Sequence, residues 1–174
     1  MKWTAPVLLL LILACSGDPY ERYGAAVHED VDGAMAAAFR MTARMQLTVV
    51  HNVIPDDSLA VVAATVTRAA REVRERAGRF ASITPPDDLL RPHADLNLEL
   101  AKLVQALDAL GSTFQRCADA HHAGDSTGRA CQAHLNEINS RFAFVGEDLN
   151  GARNRVGRML LPHGVMLPPI TMSQ

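Results

Sequence analysis

The sequence predicts an all-α protein, an antiparallel up-down-up-down four-helix bundle. Three observations predict it. Four long stretches repeat apolar residues at alternating steps of three and four, the spacing that lines one face of a helix. The breaks between these stretches are short and rich in Pro, Gly, Asn and Asp. Hydrophobic residues make up 48% of the 174 residues but aromatics only 5%, so Ala, Leu, Val and Met must do the packing, which favours helices over strands. No stretch alternates convincingly with period two.

The N-terminus comes first and belongs to no helix of the bundle. Lys2 is a one-residue positive region, and Ala5 to Ala14 (APVLLLLILA) is an apolar run of signal-peptide length. It is too short to span a bilayer as a stable helix. Cys15 follows directly. The run Ile12-Leu13-Ala14-Cys15 resembles the lipobox of bacterial lipoproteins, with an aliphatic residue three before the cysteine and a small one just before it. Leu13 is bulkier than that family's usual choice at its position. The resemblance covers residues 1–15. It implies that residues 1–14 are removed and that Cys15 carries a diacylglyceryl group and a further acyl chain, palmitate-type modifications that hold a protein at a membrane. Two or more chains anchor stably where one does not. Ser16 follows the cysteine, where an Asp often marks retention at the inner membrane, so sorting to the outer membrane is allowed. Residues 15–23 then read as the lipidated cysteine and a short polar tether, residues 24–161 as the bundle, and residues 162–174 as an extended, Pro-containing tail.

Within the bundle, the first helix is expected from about Gly24 to Val50, with the stripe Val27, Val31, Ala34, Ala38, Met41, Met45 and Val49. Its alanines permit close helix approach, and its methionines are flexible core filling. His51, Asn52 and Pro55 signal a turn, after which Asp56, Asp57 or Ser58 is placed to cap the second helix. That helix runs to Phe80 with the stripe Leu59, Val62, Val66, Ala69, Val73, Ala77 and Phe80. Its other face carries Arg68, Arg71, Glu72, Arg74, Glu75, Arg76 and Arg79, a solvated face with acids interspersed among the arginines.

The third helix holds the longest stripe: Leu89, His93, Leu96, Leu100, Leu103, Leu107, Leu110, Phe114, Cys117 and His121. Thr84 is expected as its N-cap, with Pro85 and Pro86 in the first turn and Asp87 and Asp88 at the positive dipole end. Pro92 must kink this helix or delay its regular start. The opening ITPPDDLLRPH loosely resembles a Pro-Pro-initiated helix of uncharacterised helical-bundle lipoproteins, a likeness that implies no activity. After a polar loop from His122, the fourth helix runs from about Gly128 to Leu161. Its stripe is Cys131, Leu135, Ile138, Phe142, Val145, Leu149, Ala152, Val156 and Met159, and Pro162 stops it. Arg153, Arg155 and Arg158 fall near its C-terminal end, where positive charge is favoured.

Charge and motifs then bound the function. The net charge is −2 and no basic cluster stands out, so the counterion-displacing face that nucleic-acid binding needs is missing. No Gly-x-Ser-x-Gly, His-Glu-x-x-His, P-loop or Gly-rich dinucleotide turn occurs. The paired carboxylates Asp56/Asp57 and Asp87/Asp88 lie at expected helix starts, where capping explains them. No catalytic residue and no cofactor is assigned, and the chain is read as a non-enzyme.

There are three cysteines. With Cys15 lipidated, Cys117 and Cys131 remain, one near the end of the third helix and one near the start of the fourth. In an antiparallel hairpin they reach similar heights, and outside the cytoplasm a disulfide is the natural outcome, worth about 3 kcal/mol on the chain-entropy model. The same stretch admits a second reading. Cys117 and His121 are four apart, and Cys131 and His134 three apart, which matches the ligand number and type of a structural Cys2His2 zinc site; His122 is interchangeable with His121 in it. A c-type haem attachment and a di-iron Glu-x-x-His pair are both absent. The sequence therefore reads as a lipid-anchored protein of the bacterial cell envelope, at the periplasmic face of the inner or outer membrane or at the cell surface. Its bundle is read as a binding or interaction module for an envelope protein or small ligand, with a metal-binding lipoprotein as the alternative.

Overall fold

The computed structural model describes residues 17–48, 54–122 and 128–170, apart from the side chains at 56, 122, 128–139, 141 and 143. Among these residues the chain is helical and contains no strand. The first rod consists of α1 (Pro19–Ala26), a π-helical segment (Val27–Asp32) and α2 (Gly33–Thr48), which follow one another directly. Next come α3 (Leu59–Ala81), α4 (Leu90–His122) and α5 (Gly128–Leu160). Short 3-10 turns at Asp56–Ser58, Asp87–Leu89 and Leu161–His163 flank them. Each rod packs on the next, and α5 also meets α1, so four helical rods enclose one core.

The apolar stripes are the core. Leu89, Leu96, Leu100, Leu103, Leu107, Leu110, Phe114 and Cys117 of the third stripe are all buried, as are Val27, Val31, Ala34 and Met41 of the first. From α3 come Leu59, Val62, Val66, Val73 and Phe80, and from α5 Leu149, Ala152, Val156 and Leu160. Gly111 sits on the face that α4 turns to α3, and a Cβ there would come within 3.3 Å of the Thr67 hydroxyl. That absence of a side chain lets the two helices approach closely.

Several local expectations are corrected. The helical part begins at Pro19, inside the stretch read as a tether. Asp18 caps it, its Oδ1 accepting from the Tyr20 amide at 2.9 Å, and Pro19 supplies a preset φ at the first position. Of the three candidate caps Asp56, Asp57 and Ser58, Ser58 takes the N-cap position but forms no side-chain hydrogen bond to the helix, and all three lie in a 3-10 turn. Thr84 does not cap α4. Pro86 precedes a 3-10 turn and the regular helix starts at Leu90, so Pro92 lies in the first turn, where an amide has no intrahelical partner to lose. Met159 is 36% exposed, whereas Leu160 is fully buried, which moves the end of the fourth stripe by one residue. The loop residues 123–127 lie outside the described residues, as do Val49 to Val53.

The tail turns at Gly164, whose φ of 76° is left-handed and suits glycine. Beyond it the chain has no regular secondary structure to residue 170, with Val165, Leu167 and Ile170 packed on the core. Gly24 makes room for it, since a Cβ there would lie 2.6 Å from the Val165 side chain.

Candidate functional site

Four of the buried polar residues, Asp30, Asp32, His93 and Arg153, gather toward one end of the bundle, around the π-helical segment, while Thr113 lies further along α4. A π-turn is wider than an α-turn and often marks a functional position. Here it carries two carboxylates inward. Asp30 and Asp32 are each 4% exposed, and they face different neighbours. Asp30 Oδ1 accepts from Arg79 Nε at 2.9 Å and Nη2 at 2.7 Å, a bond to α3. Asp32 takes both forks of Arg153 from α5, Nε to Oδ1 at 2.9 Å and Nη2 to Oδ2 at 3.0 Å. His28 Nδ1 lies 3.1 Å from the same Asp32 Oδ2.

Arg153 is the hub. It is 7% exposed, and besides Asp32 it donates through Nη2 to the backbone carbonyl of Pro168. One guanidinium thus ties the first rod, α5 and the tail. A bidentate, desolvated pair of this kind has strict geometry, and losing either partner leaves a buried charge. A third arginine serves the π-turn itself. Arg76 Nη1 donates to the Glu29 carbonyl at 2.7 Å, while Nε and Nη2 reach Glu72 Oε1 at 3.3 and 3.2 Å. Its guanidinium lies over Gly33, where a Cβ would come within 2.2 Å of Nη1.

Beneath these pairs lies a neutral chain. The Tyr23 hydroxyl and His93 Nδ1 are 3.3 Å apart, and Asn97 Nδ2 is 2.9 Å from His93 Nε2. With the Asn97 amide so assigned, Nδ2 donates to Nε2 and Nδ1–H donates to the phenol oxygen. Phe80 packs on the imidazole with ring centroids 4.7 Å apart. Burial holds His93 below its ordinary imidazole value and pushes the Tyr23 phenol up, so both are neutral at physiological pH. At the outer rim Tyr20 stacks on His163 at 3.5 Å, and its hydroxyl donates to Asp88 at 3.1 Å.

Sequence reasoning placed none of these groups together. It assigned Arg153 to the helix dipole and Arg76 and Arg79 to a solvated face; all three bridge to the first rod. A signal existed. Leu149, Arg153, Val156 and Leu160 are spaced four, three and four, which puts Arg153 on the core face of α5, and Val27, Asp30 and Ala34 do the same for Asp30. A charge on a core face needs a partner of opposite sign.

Of the residues singled out in the sequence, Cys117 is 3% exposed and its sulfur is engaged. His121 lies one turn on and is exposed. Cys15 and the side chains of Cys131 and His134 lie outside the described residues. Among the described residues, no group of three or more His, Cys, Asp or Glu side chains is arranged to hold a metal. His93, placed on the third stripe by its spacing, is buried, and its partners are Tyr23 and Asn97. No described helix is long and apolar enough to cross a membrane. Comparison with protein-family models, with curated proteins and with solved structures finds no match to this chain.

Proposed function

We propose that the protein is a lipid-anchored component of a bacterial cell envelope, exported, cut before Cys15 and acylated on that cysteine. Its mature part is an antiparallel up-down-up-down four-helix bundle that acts as a binding or interaction module for an envelope protein or small ligand, without catalysis. The observation that carries the reading is the apolar run Ala5 to Ala14 followed at once by Cys15. Only a few residues then separate Cys15 from the first helix, which begins at Pro19.

The order of cross-contacts supports the antiparallel arrangement. Asp30 meets Arg79 while Arg40, further along the first rod, meets Glu72, earlier in α3. Arg74 meets Asp108 while Thr67 approaches Gly111. A Cys117–Cys131 disulfide belongs to the same proposal. The buried, engaged sulfur of Cys117 near the end of α4, the place of Cys131 near the start of α5, and an oxidising compartment support it.

Labelling cells with an alkyne analogue of palmitate tests the anchor. The wild-type protein is expected to take up label and the Cys15→Ser variant none. Normal export with no label on the wild type overturns the reading.

A further inference from the structure

The contacts among Tyr20, Asp88 and His163 bring three parts of the chain to one end of the bundle: the start of α1, the turn before α4 and the segment after α5. Apolar side chains stand out from this same end. Leu90 is 56% exposed, Leu161 53% and Met166 79%. They lie close in sequence to Asp88 and His163, so they share one tip.

Two further observations say what covers this tip. The first is reach. Three residues lie between Cys15 and Pro19, four steps along the chain, and an extended chain spans at most about 3.6 Å per residue. An acylated Cys15 therefore keeps the tip within roughly 15 Å of the bilayer, while the 33 residues of α4 make the bundle about 50 Å long. The second is charge. Arg22, Arg91 and Arg158 are exposed near the tip, and so are Asp18, Glu21, Asp87 and Asp88. The tip is close to neutral, so apolar contact rather than attraction to anionic lipid must hold it.

Resting on the lipid-anchor reading above, we propose that this tip docks on the bilayer, with Leu90, Leu161 and Met166 entering the interfacial region and the bundle standing away from the membrane. Leu47 is 88% exposed but lies roughly 40 Å further along the first rod. It stays in water.

The chain's single tryptophan is Trp3, which the proposed cleavage removes. Met166→Trp and Leu47→Trp thus each introduce the sole indole of the processed protein at an exposed position. Each acylated variant is placed in phosphatidylcholine vesicles with or without brominated acyl chains. The proposal expects blue-shifted emission and severalfold stronger bromine quenching for Met166→Trp than for Leu47→Trp. Leu161→Trp serves as a second tip probe should Met166→Trp fail to fold. Equal, weak quenching at tip and far end, in protein that floats with the vesicles and carries the acyl mass, overturns the docking while leaving the anchor intact. Protein that lacks the acyl mass and does not float overturns the anchor, and the docking with it.

Discussion

The middle of α4 and the end of the bundle around Asp32 are held by opposite means. Between Leu96 and Phe114 the buried side chains are apolar apart from Thr113, and ion pairs such as Arg74–Asp108 are exposed. Around the π-turn, Asp30, Asp32, Arg79 and Arg153 meet as charges, and each fixes a partner on another element. Apolar burial is non-directional and gives stability to any arrangement that hides the stripe. A bidentate ion pair accepts one geometry, at a large desolvation cost. The bundle is therefore stabilised along its length and registered at the end around Asp32, where the tail is also bound.

The largest expected effect breaks the polar side of this comparison. Asp32→Ala leaves Arg153 buried without its carboxylate and is expected to cost about 3–5 kcal/mol. Urea unfolding should show it, together with easier proteolysis of residues 165–170, since Arg153 also holds the Pro168 carbonyl. The double replacement Asp32→Leu with Arg153→Met is expected to restore a good part of that loss but not the tail protection. A double variant no more stable than Asp32→Ala would mean that the pair is not a unit.

Leu103→Ala breaks the apolar side. It is expected to cost about 2–5 kcal/mol through lost burial and a residual cavity, with the tail protected as in the wild type until global unfolding. Asp30→Asn sharpens the contrast within the polar end. The Arg79 side chain is 52% exposed, so water compensates its lost partner, and the expected cost is about 1 kcal/mol.

The smallest effect is pH-dependent. The His93 imidazole is held below its unfolded value by burial. Its contribution is present in full above the unfolded value of about 6.5 and is lost as pH falls below it, because the unfolded state then binds the proton more readily. The urea midpoint of the wild type is expected to drop from pH 7 to pH 5 more than that of His93→Gln, which keeps a hydrogen-bonding side chain without the titration. Parallel drops in the two proteins would contradict this.

The same contrast explains what could be read from the sequence. The leucine and valine stripes were legible because period alone sets which face an apolar residue takes. Among the described residues their burial follows the spacing with few errors, Met159 for Leu160 being one. The polar end was not legible in the same way. Spacing puts Arg153 on the core face of α5, but nothing local names its partner Asp32, 121 positions away. The Pro168 carbonyl carries no side-chain signal at all. The early start at Pro19 was readable from Asp18-Pro19, a cap followed by a first-turn proline, but the polar run around it read as a tether.

The central claim is that this registered end is also the anchored one, and intact mass of the membrane-extracted protein tests it most directly. The account predicts a chain that begins at Cys15 and carries a diacylglyceryl group and a further acyl chain, with Cys117 and Cys131 open to alkylation only after reduction. A mass showing the uncut chain, or a chain cut elsewhere without lipid, would contradict it.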